Sequence, residues 1–168
     1  MQYSWALAVA LKLKAELEPY TTRIEIAGSI RRSKREVGDI ELVCQPRITD
    51  LVQNNLITGE PEITRQNWLD DQIKNLLRQH KIALPKEARK TPLGPRYYKI
   101  VLNQGTPQEI QVDIFAVLPP ADWGVLLTIR TGSADFSHSL VSHARDVGMR
   151  VKDGQLFKVA DLIKRSDD

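Results

Sequence analysis

The chain reads GSIRR at residues 28–32 and VGDIELV at residues 37–43, and this stretch decides the fold that the sequence predicts. A tight glycine turn and a short basic connection lead here into a buried strand. Side chains alternate between the two faces of a strand, so Asp39 and Glu41 are expected on the same face. Two adjacent carboxylates repel each other unless a divalent cation binds between them. The strand is therefore predicted to form one side of a metal site.

A second strand is predicted over residues 109–117, where the sequence EIQVDIFAV places Asp113 within an apolar run. Burial of a lone carboxylate is costly unless a positive group meets it. If this strand pairs with the first, Asp113 joins Asp39 and Glu41 around one site. Three carboxylates can hold two Mg²⁺ ions about 3.5–4 Å apart, the arrangement that serves phosphoryl and nucleotidyl transfer.

Each carboxylate taken alone has a simpler interpretation. Asp39 and Glu41 would be solvated residues on an edge strand, and Asp113 would be one member of an ion pair. Their combination with the glycine turn ten residues before Asp39 favours the metal site instead.

These positions resemble the signature of the nucleotidyltransferase superfamily, which the chain matches at Gly28, Ser29, Arg32, Asp39, Glu41 and Asp113. A second block narrows the resemblance to the family X DNA polymerases, the polymerase β-like enzymes. This block is similar to the thumb of those enzymes and comprises Thr131, Gly132, Ser133, Phe136, residues 142–144 and residues 148–149. The matching segments run from about residue 24 to 44 and from about residue 97 to 152.

The resemblance implies an α/β (α+β) fold in two parts. Residues 1–119 would form a nucleotidyltransferase palm, in which helices flank a mixed β-sheet. Residues 120–168 would form a small thumb of helices and a β-hairpin. The amino-terminal module that carries lyase chemistry in this family has no room before Ile24, so a minimal palm-and-thumb form is expected.

The resemblance also assigns roles to individual residues. Asp39 and Glu41 would bind both of two Mg²⁺ ions, for which Mn²⁺ can substitute. Asp113 would bind the catalytic ion and help to deprotonate the primer 3′-hydroxyl. A nucleoside triphosphate would be held by Gly28, Ser29, Arg32, Gly38, Arg130, Thr131, Gly132 and Ser133. This assignment suits the residue types, since a guanidinium binds phosphate oxygens bidentately and glycine lets backbone N–H groups approach them.

Several positions depart from the family pattern. Glu41 replaces the usual aspartate, and Asp-x-Glu is found in small-molecule nucleotidyltransferases of the same superfamily. Ile129 and Arg130 replace an aromatic pair, which predicts weak discrimination against ribonucleotides. Ala134 and Val141 replace an aspartate near the base and an arginine near the template strand.

Basic residues are unevenly distributed, although the net charge is only +3. Residues 78–99 contain seven lysines and arginines and one acid, Glu87. Such asymmetry suits a phosphate backbone, because each neutralised phosphate releases counterions. Lys90, Arg96 and Lys99 are predicted to contact nucleic acid, whereas Arg78 and Lys81 are expected to be solvated.

The composition excludes some classes of protein. No apolar run approaches the roughly 20 residues of a membrane span, and the first residues show no signal peptide. The single cysteine, Cys44, forms no internal disulfide and is expected to be a small buried residue. A cytoplasmic monomer that does not contact membranes is therefore expected.

The predicted function is that of a minimal polymerase β-like DNA polymerase. It would add nucleotides to a DNA 3′-hydroxyl in gap filling or end extension during repair, on a primer/template or gapped DNA, and release pyrophosphate. The main alternative is a nucleotidyltransferase that modifies a small molecule, an RNA end or a protein side chain. A third possibility is a nucleic-acid-binding subunit without activity.

Local patterns predict the remaining elements. Helices are expected over residues 5–17, 67–79, 123–129, 133–147 and about 160–164, and Asn67, Asp122 and Ser133 are expected to cap the second, third and fourth of them. Strands are expected over 23–27, 37–44 and 97–102, with a hairpin around 153–154. Residues 45–66 are interpreted as a polar insertion with a short helix near 50–56. Trp68 is expected in the core rather than in contact with a cofactor. Tyr97 and Tyr98 are expected at the core edge, with stacking of one of them on a base as the alternative.

Overall fold

The computed structural model describes residues 1–54, 59–86 and 94–160. They form a mixed α+β fold, in agreement with the class that the sequence predicts. The elements in chain order are helix α1 (Tyr3–Leu17), a 3₁₀ turn (Glu18–Tyr20), β1 (Thr21–Ile26), α2 (Gly28–Arg31), β2 (Ile40–Pro46), β3 (Ile48–Asn54), β4 (Pro61–Asn67), α3 (Trp68–Arg78), β5 (Tyr97–Leu102), β6 (Ile110–Ala116), α4 (Trp123–Thr131), α5 (Ala134–Asp146), β7 (Met149–Lys152) and β8 (Gln155–Lys158).

A four-stranded mixed sheet in the order β1-β2-β6-β5 is the centre of the fold. Its middle strands, β2 and β6, run parallel, and each pairs antiparallel with its outer neighbour. The register places Glu41 opposite Asp113, and Asp113 opposite Lys99 on β5. Because partners in register share a face, these three side chains form a row across the sheet.

One face of the sheet carries the main core. Apolar residues of β2 and β6 alternate, so Ile40, Leu42 and Ile114 lie with the buried sides of α1 and α3. Helix α1 contributes residues spaced three or four apart, and α3 does the same, with the buried set Ala6, Ala10, Leu13, Leu17, Leu69, Ile73 and Leu76. Each leucine or isoleucine of this set contributes about 1.5–3 kcal/mol on full burial, which holds this face of the sheet against the helices.

The other face carries the carboxylates and a smaller apolar cluster. Its buried members are Ala27, Val43, Phe115 and Val117. Residues of α4, among them Trp123, Leu126 and Leu127, pack on this cluster. Neither α4 nor α5 has a fully buried residue of its own. The two helices therefore depend on contact with the sheet and with the β7–β8 hairpin for their stability.

Several local predictions are confirmed. The Asn67 side chain accepts a hydrogen bond from the Asp70 N–H at the start of α3, and Ser133 caps α5 in the same way through the Phe136 N–H. Asp153 and Gly154 have φ angles of 50° and 78°, which suit the two-residue turn between β7 and β8. Asp122 precedes α4 as expected, but its side chain makes no capping hydrogen bond.

The predicted helix near residues 50–56 is wrong. Residues 48–54 form β3, which pairs with β4 so that Val52 lies opposite Ile63 and Asp50 opposite Arg65. Residues 55–58 lie outside the described part of the chain. Both faces of this ribbon are largely exposed, so its strands lack the apolar alternation that identifies a half-buried strand.

The predicted burial of Trp68 is also wrong, since its side chain is 37% exposed. Its indole Nε1–H donates to Thr49 Oγ1 over 2.9 Å and so ties the β3–β4 hairpin to the first turn of α3. Leu69, the next residue, occupies the core instead. The predicted strand at 37–44 begins later than expected, at Ile40, and the predicted helix near 160–164 extends beyond the described residues.

Across the described ranges, no helix combines the length and the apolar character that crossing a membrane requires.

Candidate active site

Three carboxylates approach one another where β2 and β6 lie side by side. Glu41 and Asp113 are register partners on these strands, and Asp39 immediately precedes β2. The structure thus brings together the residues that the sequence analysis grouped. Burial raises the pKa of Glu41 to about 7, and the charges of Asp39 and Asp113 add to this effect. Burial and the Asp113 charge likewise raise the pKa of Asp39.

The chemistry of this group suits a divalent cation. Carboxylate oxygens are the ligands that Mg²⁺ prefers, and a positive ion would remove the repulsion that raises the two pKa values. Among the described residues, however, no group of three or more His, Cys, Asp or Glu side chains is already arranged to hold a metal ion. The donor types therefore fit Mg²⁺, whereas their present geometry is not a closed ligand set.

Asp113 is also contacted by groups on the far side of β6 from Glu41. Its Oδ1 accepts a hydrogen bond from the Tyr97 hydroxyl over 2.7 Å and lies 3.8 Å from Lys99 Nζ. Tyr97 and Lys99 both belong to β5, the strand on the other side of β6 from Glu41. One oxygen of Asp113 is thus directed toward β5.

Gly28 makes room for the Glu41 carboxylate. A Cβ atom at this glycine would lie 1.8 Å from Glu41 Oε2, and its φ of +60° is unfavourable for other residues. The expected turn is a single helical turn, α2, which brings the backbone of residue 28 against the site. Any side chain here would displace Glu41.

Arg32 connects α2 with the end of α4. Its guanidinium donates to the carbonyl oxygens of Thr131 and Gly132, the latter over 2.8 Å. Carbonyls at a helix carboxyl end have no partner within the helix and carry partial negative charge, so a guanidinium is a suitable donor. Arg32 is therefore occupied with protein atoms in this structure.

A cavity of about 450 Å³ lies beside this contact and is lined by Arg31, Arg32, Leu127, Thr128, Thr131, Gly132, Ser133 and Phe136. Within the described part of the chain, the buried hydroxyl of Thr131, which lines this cavity, has no hydrogen-bond partner, and neither does that of Ser29, which is not among the lining residues. Buried hydroxyls in proteins are normally satisfied, so an unpaired one indicates a place for a ligand or water. Four of the predicted nucleotide-binding residues thus lie around one cavity.

A larger cavity of about 660 Å³ extends from the carboxylates to the turn of the β7–β8 hairpin. Its lining includes Glu41 and Asp113 at one end and Gly154 at the other. Arg130 also lines it, with its guanidinium 3.9 Å from the centroid of the Phe115 ring. This residue is therefore held over an aromatic face within reach of the site.

The other predicted site residues lie apart from this centre or are engaged elsewhere. Gly38 is exposed, with open space where a side chain would be. The Arg96 guanidinium donates to the carbonyls of Leu118, over 2.8 Å, and Pro119. Lys99 lies beside Asp113, and Lys90 falls outside the described residues. Arg96 and Lys99 thus make contacts within the protein.

Sequence reasoning missed the part that Tyr97 and Phe115 play. The two rings stack with centroids 5.2 Å apart, and the Tyr97 hydroxyl reaches Asp113. The strand patterns at 97–102 and 109–117 were recognisable, but only their antiparallel register places Tyr97 opposite Phe115. A prediction of that register would have revealed the contact.

Comparison with known proteins gives no match: no family model matches this chain, and no curated protein does. The chemistry of the site therefore rests on the residues described above.

Proposed function

We propose that the chain is a nucleotidyltransferase of the polymerase β-like type, which adds nucleotides to a DNA 3′-hydroxyl. In this proposal the four-stranded sheet with its helices is the palm, and the segment from α4 to β8 is the thumb. The observation that supports it most is the pairing of Glu41 with Asp113 on adjacent parallel strands, with Asp39 directly before β2. A site of three neighbouring carboxylates beside a large cavity suits phosphoryl-transfer chemistry.

Asp39, Glu41 and Asp113 would hold two Mg²⁺ ions, or Mn²⁺ in their place. When bound, such ions neutralise charge on the triphosphate and lower the pKa of the attacking hydroxyl. The contribution of the chain itself is positioning. Asp113 would accept the proton of the 3′-hydroxyl, which is the role that the family resemblance implies for it.

The nucleoside triphosphate would occupy both cavities. Thr131 lines the smaller cavity, and its buried hydroxyl would bind a phosphate oxygen. Ser29, whose hydroxyl is also buried, would bind phosphate as the family resemblance implies. Arg32 would exchange its two carbonyl partners for phosphate, which a guanidinium binds more strongly because the acceptor is fully charged. Arg130 lines the larger cavity and carries a positive charge toward the same ligand.

A second candidate is a nucleotidyltransferase with another acceptor, such as a small molecule, an RNA end or a protein side chain. One observation favours it: Arg96 and Lys99, two of the three residues expected to contact DNA, are engaged by protein groups. Residues 96–99 therefore offer DNA fewer free cations than the sequence suggests.

Extension of a labelled primer on a one-nucleotide gap tests the proposal. Each nucleotide is supplied separately, in deoxy and ribo form, with Mg²⁺ and then Mn²⁺. Asp113→Asn is expected to abolish incorporation, whereas Asp50→Asn, the same change on the exposed β3–β4 hairpin, should leave it unchanged.

Three outcomes separate the candidates. Templated incorporation that depends on Asp113 supports gap filling, and incorporation that ignores the template supports end extension. A folded protein that binds nucleotide and Mg²⁺ but extends no primer excludes the polymerase and favours another acceptor. DNA binding with no turnover in either metal would indicate a binding subunit without activity.

A further inference from the structure

We infer that Tyr97 is a positioning residue, which holds the Asp113 carboxylate in the orientation that metal binding requires. The inference rests on the proposed function, because it concerns the same carboxylate site. It assigns a role to a residue of β5 that carries no charge and contributes no metal ligand.

The geometry fixes the Tyr97 hydroxyl firmly. Its ring stacks on Phe115 with an interplanar angle of 22°, and the Arg130 guanidinium lies over that same Phe115 ring. Tyr97 is only partly exposed, so rotation of its ring would disrupt the stacking on Phe115. The hydroxyl consequently reaches Asp113 Oδ1, 2.7 Å away, from a defined direction.

The sheet register explains why Tyr97 can reach this carboxylate. Lys99 lies directly opposite Asp113, and Tyr97 lies opposite Phe115, two residues further along. A diagonal neighbour across two antiparallel strands is within reach of a long aromatic side chain. Lys99 Nζ is 3.8 Å from the same oxygen, which is a charge contact rather than a hydrogen bond. The direction of the carboxylate is therefore set by Tyr97, and Lys99 contributes positive charge.

A carboxylate that is hydrogen-bonded through one oxygen has its rotation about χ2 restricted. This fixes where its second oxygen points, and only that oxygen is needed for a metal ion shared with Asp39 and Glu41. Outer partners of metal ligands act in this way, and their removal typically lowers metal affinity roughly 10- to 100-fold.

The test compares Tyr97→Phe with Tyr98→Phe. Tyr98 also donates its hydroxyl to a carboxylate, Asp70 Oδ1 at 3.0 Å, but it lies on the opposite face of the sheet within the main core. Each substitution therefore removes one hydroxyl and one hydrogen bond to a carboxylate, and only the first touches the candidate site. Mn²⁺ alone is the probe, titrated into each protein and followed by electron paramagnetic resonance of the free ion.

The expected result is a dissociation constant for Mn²⁺ at least about tenfold higher in Tyr97→Phe and unchanged in Tyr98→Phe. Thermal unfolding of the metal-free proteins confirms that each variant is folded. In primer extension, Tyr97→Phe should lower kcat and leave the KM for nucleotide nearly constant, because the phosphate contacts are intact.

Two results overturn the inference without touching the proposed function. One is equal Mn²⁺ affinity in wild type and Tyr97→Phe, and the other is an equal loss in both variants, which would reflect general destabilisation. If the wild-type protein itself binds no Mn²⁺, the proposed function fails and the inference fails with it. If Tyr97→Phe no longer unfolds cooperatively, the hydroxyl is needed for the stability of the fold. This outcome also contradicts the inference, which confines the role of the hydroxyl to the orientation of Asp113.

Discussion

At the scale of single residues, Glu41 shows how strongly the site is biased toward a cation. Its pKa is raised from 4.5 to about 7, by burial first and then by Asp39 and Asp113. Arg130 and Arg32 oppose the shift but do not cancel it. A carboxylate in such surroundings destabilises the metal-free protein when it is ionised, and bound metal would reverse this.

The stability of the metal-free protein should therefore depend on Glu41 and on pH. The folded state holds this proton to a higher pH than the unfolded state does, so stability falls as the pH rises from about 4.5 through 7. Glu41→Gln should raise the free energy of unfolding at pH 8 by about 1 kcal/mol, less than the full shift implies because the group is partly exposed. At pH 5 it should change little. Urea unfolding in EDTA at both pH values measures this, with the exposed Glu62→Gln as control.

Gly28 is the second residue whose substitution is diagnostic. Gly28→Ala imposes a Cβ atom 1.8 Å from Glu41 Oε2 in addition to the cost of its positive φ. Gly148→Ala, at a φ of +72° with open space around it, carries the conformational cost alone, about 1 kcal/mol. Both variants should lose stability in thermal unfolding, but only Gly28→Ala should also lose Mn²⁺ binding. Equal Mn²⁺ affinity in the two would show that Glu41 does not depend on this close approach.

At the scale of elements, the contact between α2 and α4 stabilises the end of α4 and also lines the cavity proposed to bind the nucleotide. Arg32 satisfies carbonyls at the end of α4, a helix whose apolar residues are only partly buried against the sheet. Arg32→Gln should therefore increase the rate of amide hydrogen exchange at the carboxyl end of α4 about tenfold. This factor corresponds to the loss of one charge-assisted hydrogen bond of roughly 1.4 kcal/mol.

The matched control for this prediction is Arg31→Gln. Arg31 is exposed and pairs with Glu25 over 3.9 Å, so its loss should leave exchange in α4 unchanged. Arg32→Gln should also raise the KM for nucleotide in primer extension. Unaltered exchange in α4 would mean that the guanidinium does not stabilise this helix.

Elements with local signals were predictable from the sequence, whereas those that depend on distant register were not. Asn67 and Ser133 identify helix starts because their side chains bond to the N–H three residues on. Alternation identified β2 and β6 and hence the grouping of Asp39, Glu41 and Asp113. The β3–β4 hairpin was missed because it buries neither face. The Tyr97–Asp113 bond carries no local signal, since it depends on how β5 pairs with β6.

At the scale of the whole molecule, the main core and the candidate site lie on opposite faces of the four-stranded sheet. One face packs on α1 and α3 and contains most of the buried residues. The other face carries the row of Glu41, Asp113 and Lys99, and residues of α4 pack on it. The larger cavity lies beside this row. Changes in the main core should thus affect stability, and changes under α4 should affect ligand binding.

The salt dependence of binding tests whether the basic residues of the chain contact a nucleic-acid acceptor. If three phosphates of DNA are contacted, the dissociation constant for gapped DNA should rise about 40-fold between 50 and 200 mM salt. Arg96→Gln should reduce that slope by about one contact only if Arg96 leaves the carbonyls of Leu118 and Pro119 to bind DNA. Fluorescence anisotropy across a salt series measures both. A flat salt dependence would favour a small or uncharged acceptor.

The most direct test of the central claim is release of pyrophosphate from deoxynucleoside triphosphates in the presence of gapped DNA and Mg²⁺. We expect release to require both DNA and metal, and to fall at least 100-fold in Asp113→Asn, because that change removes one of the three carboxylates. Release by Asp113→Asn at the wild-type rate, or none from a folded wild-type protein in either Mg²⁺ or Mn²⁺, would contradict the assignment of these carboxylates to nucleotidyl transfer to DNA.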